Sequence, residues 1–138
     1  MACSQQSEPV DQPPAMENEE GITIINGVER SELALLMREM YDQMDMIKDS
    51  IARGESISTD FYEAFKRIRD AHATEPAKID DNYQSMADAF LENYKRFEES
   101  TESQAEAYNI MIQNCVVCHE QKCPGPVKTI NKLKVKEN

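Results

Sequence analysis

The residues best placed to do chemistry are Cys115-Val116-Val117-Cys118-His119. Cys115, Cys118 and His119 stand at i, i+3 and i+4, positions that share one side of an α-helix. Two thiols at that spacing can each form a thioether with one vinyl group of a haem. The next residue then presents an imidazole to the iron as proximal ligand, which is why C-x-x-C-H is the attachment pattern of a c-type haem. Two other chemistries use similar residues. A thioredoxin-like dithiol normally follows a strand in an α/β pattern, and no such pattern occurs here. A zinc site would combine Cys115, Cys118, His119 and Cys123. Structural zinc sites more often recruit a second ligand pair from a distant segment, and only His72 and Cys3 remain for that. The expected cofactor is one covalently attached haem c; a zinc or thiol site in a helical bundle is the further alternative.

Positioning such a group takes a covering scaffold. The chain has 138 residues, enough for one domain with its own core. Its net charge of -11 argues against nucleic acid as a partner, because that role calls for a basic face. It also argues against docking on anionic lipid through protein charge. An acidic surface suits a redox partner with a basic docking face. No apolar run is long enough to span a membrane. Glycine is scarce, at four residues, and Leu, Met, Ala, Glu and Lys recur, which favours helices. Haem is attached to c-type proteins outside the bacterial cytoplasm, so a leader is expected to have preceded this chain. Met1-Ala2-Cys3-Ser4, with small residues before Cys and a polar stretch after it, resembles the region around a bacterial lipobox. Cys3 is therefore a candidate lipid anchor or, equally, a plain surface thiol.

The hydropathy pattern divides the chain into three parts. Residues 1–20 read as a disordered tether, with Pro9, Pro13 and Pro14 breaking any helix. Residues 21–126 read as a four-helix domain, and residues 127–138 as a basic, mildly amphipathic tail able to fold back as a short helix over the haem edge. An apolar patch at 21–28, with a turn at Asn26-Gly27, precedes the helices. The first helix is predicted over 29–53, with Leu33, Met37, Met40, Met44, Ile47 and Ile51 in a heptad seam and Gly54 as its stop. The second is predicted over 59–73, with Phe61, Phe65, Ile68 and His72 on one face, and Pro76 beyond it. The third is predicted over 78–100, with Ile79, Tyr83, Met86, Phe90, Tyr94 and Phe97 inward. The fourth is predicted over 102–121, with Tyr108, Met111, Ile112, Cys115, Cys118 and His119 inward, and Pro124-Gly125-Pro126 ends it. Four amphipathic helices with short connections predict an all-α, antiparallel four-helix bundle, its haem bound near the end of the fourth helix.

With C-x-x-C-H late in a fourth helix and M-x-x-M-x-x-x-M before a Gly stop in the first, residues 29–121 resemble the cytochrome c prime family, which includes Met-ligated, low-spin relatives. The resemblance implies a sixth iron ligand from the first helix, which falls on Met37, with Met40 as second choice. It also implies homodimerisation through the first two helices. Two departures stand out. Leu33 occupies the place where family members often carry an Arg near a propionate, the nearest arginines being Arg30 and Arg38. After His119 the sequence runs Glu120-Gln121-Lys122-Cys123-Pro124-Gly125-Pro126 rather than through an aromatic and a basic residue. Cys123 has three open roles: buried thiol, disulfide partner of Cys3, or intermolecular link.

Set against these expectations, a Met stripe at helical spacing is by itself core packing, and His72 is more often a helix-end residue than a ligand. Lys122, Lys128 and Lys132 are candidates to neutralise propionates. No catalytic constellation, phosphate loop or dinucleotide fingerprint occurs. The expected function is a one-electron carrier, not an enzyme, in the periplasm or anchored at the outer membrane of a bacterium. The alternative is a five-coordinate haem protein that binds or senses NO or CO.

Overall fold

The computed structural model describes residues 16–17, 22–25 and 28–137, with side chains from Arg30 onward. Among these the chain is mostly helical. Cys3 and the Asn26-Gly27 turn lie outside the described residues.

Part of the expected tether is strand. β1 (Met16–Glu17) pairs antiparallel with β2 (Ile22–Ile25), which pairs antiparallel with β3 (Val28–Ser31). The apolar alternation in 22–25 fits a strand better than a helix, and the register Ile25↔Val28 leaves two residues for the connection. The hairpin shortens the first helix at its start. α1 spans Glu32–Ala52, capped by Ser31, whose hydroxyl accepts the Ala34 N–H at 3.1 Å. It closes at Gly54, whose φ of +74° is the left-handed conformation glycine adopts without strain.

The second predicted helix is largely absent. In its place α2 (Tyr62–Phe65) runs into a 3₁₀ turn, Lys66–Arg69. The flanking backbone is committed elsewhere. On the N-terminal side, Gln104 holds the Ile57 N–H and carbonyl at 3.2 and 3.1 Å, the Thr59 hydroxyl meets Tyr94 at 2.7 Å, and 55–60 stay out of the helix. On the C-terminal side, the His72 carbonyl accepts the Leu33 N–H at 2.9 Å, and Glu32 accepts the His72 N–H at 2.8 Å. The end of the expected helix thus serves as a cap for α1, supplying one of the acceptors that a helix N-terminus lacks.

A 3₁₀ turn, Pro76–Lys78, leads to α3 (Asp81–Glu99), and a short connection leads to α4 (Gln104–Lys122). So short a link forces α3 and α4 antiparallel, and the pairs Asn82–Gln121 (2.7 Å) and Asn93–Asn114 (2.6 Å) run accordingly. These two helices pack most closely; α1 approaches α4 much less closely than α3 does. A chain of rings, Phe61, Phe65, Tyr94, Phe97 and Tyr108, with successive centroids 5.8, 5.4, 6.4 and 6.2 Å apart, runs through the core. The C-terminal tail is built into that core. α5 (Val127–Asn131) buries Ile130, and Leu133 follows it. Tyr108 donates its hydroxyl to the carbonyls of Met44 (3.1 Å) and Leu133 (2.8 Å), tying α1, α4 and the tail together.

Two outcomes follow for stability. Tyr108→Phe leaves two buried carbonyls without that donor and should destabilise the fold by about 1–3 kcal/mol in urea unfolding, with earlier proteolysis of the tail. Glu32 has its pKa held below the ordinary carboxylate range, chiefly by the His72 N–H and then by Arg67, against burial that pushes it up. A depressed carboxylate contributes stability that is complete above its ordinary pKa and lost as pH falls through its folded value. Glu32→Gln should therefore be less stable than wild type near pH 7, and the gap should close as unfolding is followed into acid.

Candidate functional site

His119 lies in the last turn of α4 and is 7% exposed. Burial lowers its pKa, more than the Cys123 carbonyl raises it, so the ring is neutral at neutral pH. That carbonyl lies 3.1 Å from Nδ1, so a neutral ring must carry its proton on Nδ1 to donate it. The Nε2 lone pair is then left without a partner among the described residues. A backbone carbonyl on one ring nitrogen, with the other nitrogen free, is the arrangement that orients a metal-binding histidine and raises its basicity.

Two narrow clefts flank this ring. The first is bordered by Leu33, Met37, Ala73, Ile79 and Tyr83, by Cys118 and His119, and by Glu75, Lys78, Lys122 and Cys123. The second is bordered by Met37, Met40, Tyr41, Met44, Cys115, His119, Pro126, Ile130 and Leu133. Only Met37 and His119 border both. Both walls are mainly apolar, and each cleft takes one of the two thiols.

Cys115 and Cys118 are free and partly buried. Burial pushes the Cys115 thiol up to about 12; it raises that of Cys118 as well, while Lys122 pulls the other way. A buried thiol with a raised pKa is a poor nucleophile for dithiol exchange, and among the described residues no group of three or more His, Cys, Asp or Glu side chains is arranged to hold a metal ion. Cys123, 2% exposed, is disulfide-bonded, which removes one of its three open roles, the free buried thiol, and also leaves it no thiolate for the zinc quartet. The residues present therefore fit a haem. The site pairs two free thiols at the attachment spacing with an imidazole of fixed tautomer and adds an apolar slot between α1 and α4.

The other expected residues fall as follows. Met37 is half-buried and borders both clefts, whereas Met40 and Met44, 5% and 2% exposed, border only the second. His72 borders neither; its side chain is 66% exposed, with Nδ1 3.6 Å from Glu32. Lys122 borders the first cleft, but its ammonium lies 2.7 Å from both oxygens of Asp80, the N-cap of α3. Lys128 and Lys132 are exposed. The sequence reading placed Ala73 at the end of the second helix and Ile79 inward at the start of the third, and missed that the connection between them walls the first cleft. It also missed Tyr41, one residue off the heptad seam. In comparisons with models of protein families, with curated proteins and with solved structures, nothing matches this chain.

The thiols offer a direct check. In haem-free protein at pH 8, with unfolded chain as the reference, both Cys115 and Cys118 should be alkylated by iodoacetamide at least about tenfold more slowly than in that reference, with Cys115 the slower, as read by peptide mass spectrometry.

Proposed function

We propose that this chain is a c-type cytochrome that carries one electron at a time through a single covalently bound haem. In this reading α1, α3 and α4 are three helices of a bundle of the cytochrome c prime kind, and the short α2 and its 3₁₀ turn stand in the place of the fourth. One observation carries the proposal: a buried, neutral His119, its Nδ1 on a backbone carbonyl and its Nε2 unpartnered, borders two apolar clefts together with Met37, and each cleft holds one free thiol of the C-x-x-C-H run.

When bound, haem supplies an iron whose potential depends on axial ligands and burial. The chain's residues do the rest. Cys115 and Cys118 would anchor the group, Nε2 of His119 would ligate it, and the thioether of Met37 would supply the second protein ligand. Leu33, Met40 and Met44 exclude water from that side. The acidic surface guides encounter with a basic partner. The Cys123 disulfide suits an oxidising compartment such as the bacterial periplasm, where c-type haem is attached. Four cysteines, two of them free and one bonded, also constrain the N-terminus: Cys3 can carry a lipid only if Cys123 pairs with another chain.

The apolar α1 wall favours a second reading, in which Met37 stays off the iron and the open position binds NO or CO. Optical spectra separate the two. Protein matured with its haem outside the cytoplasm is recorded ferric, ferrous and ferrous with CO, for wild type and Met37→Ala. The expected result is a low-spin spectrum whose far-red Met-to-iron band disappears in the variant. A high-spin spectrum that takes up CO readily and ignores the substitution moves the function to gas binding. A colourless protein containing zinc rejects both.

A further inference from the structure

α4 ends on a closed ring of contacts that the electron-carrier reading does not itself require. The Cys123 N–H donates to the His119 carbonyl at 2.8 Å, as in any α-helix. At Cys123 the backbone then leaves the helix, with an extended φ of -161° and ψ of 76°. Its carbonyl no longer points along the helix axis toward a following turn. It lies instead 3.1 Å from Nδ1 of His119, four residues back. Two hydrogen bonds thus run in opposite senses between the same two residues, one to the backbone and one to the ring. Cys123 is also 2% exposed and fixed by a disulfide, and Pro124, which cannot continue the helix, follows it.

We propose that Cys123 is the positioning residue for His119: its disulfide holds the helix end in the turned-out conformation, and the carbonyl so held fixes the tautomer and orientation of the imidazole. The inference rests on the haem reading for its functional consequence, but its structural content stands on the ring and the disulfide alone. A carbonyl that accepts from Nδ1 makes Nε2 more basic and favours the oxidised metal, so releasing it should raise the potential. A dithiol reductant would release it with balanced chemistry: the S–S bond takes up two electrons and two protons to give two thiols, and the reductant closes to its own disulfide.

The test uses the full chain, as wild type, as wild type treated with a dithiol reductant, and as Cys123→Ser. Alkylation without prior reduction should leave Cys123 unmodified in wild type; an alkylated Cys123 overturns the proposal. Histidine-ring ¹H–¹⁵N spectra of haem-free protein should show His119 as the Nδ1–H tautomer, with exchange at least about tenfold faster once the disulfide is reduced or Cys123 is replaced. Haem-loaded protein should then shift its oxidised-to-reduced ratio about threefold toward reduced at fixed potential, about 30 mV for one electron. Unchanged ring exchange and unchanged potential in both the variant and the reduced wild type overturn the proposal. If Cys123→Ser fails to fold, the reduced wild type supplies the comparison. Failure to take up haem rejects the cytochrome reading, while the ring spectra still decide the role of Cys123.

Discussion

His119 is a largely buried imidazole whose hydrogen bond within the described residues goes to a single backbone carbonyl, that of Cys123. The rest of the site follows from that choice. The helix has to stop within one turn of the ring, so that the carbonyl can turn back, and Pro124-Gly125-Pro126 makes the stop. Lys122, in the same last turn, reaches across to Asp80 and so joins the end of α4 to the start of α3. Asp80 in turn caps α3 through the Tyr83 N–H at 2.9 Å. Its carboxyl is held below the usual range, first by Lys122 and then by that N–H. The orientation of one ring is thereby coupled to the junction of the two helices that pack most closely.

Three buried tyrosines solve the next problem, how to hold irregular chain against a helical core. Each leaves its ring among apolar side chains and spends its hydroxyl on a different non-helical or terminal segment. Tyr83 donates to the Ile68 carbonyl at 2.6 Å, Tyr94 meets Thr59, and Tyr108 meets the tail. A phenylalanine would pack as well at each place but would leave a carbonyl or hydroxyl without its partner inside the protein. The walls of both clefts depend on this arrangement, because Ala73, Ile79, Ile130 and Leu133 all lie on segments with little regular structure of their own.

What the sequence makes legible is what repeats or what is chemically rare. The heptad seam from Leu33 to Ile51 announces α1, the inward aromatics announce α3, and Cys115, Cys118 and His119 announce the site. The second helix misleads for a physical reason: Phe61, Phe65 and Ile68 have helical spacing, but the peptides around them bond to Gln104, Glu32 and Leu33. Those partners lie 39 or more residues away, and no local pattern encodes them. The Cys123 carbonyl is hidden in the same way, since nothing in a C-x-x-C-H run tells where the helix after it will end.

α1 packs on the rest of the core less closely than α3 packs on α4, and the clefts lie along its face. Helices that pack directly through their side chains sit about 8–10 Å apart and interdigitate. Here α3 and α4 pack closely, while α1 faces α4 across two clefts that share only Met37 and His119 as common border. The apolar side chains that border these clefts forgo there some of the dispersion contact that close packing supplies. On the proposed reading, the two free thiols and the carbonyl-bonded imidazole stand beside them to hold a broad, apolar, covalently attached group. Of the α1 side chains on the clefts, Leu33, Met37, Met40, Tyr41 and Met44, Met37 alone borders both, and it is half-buried where Met40 and Met44 are fully buried.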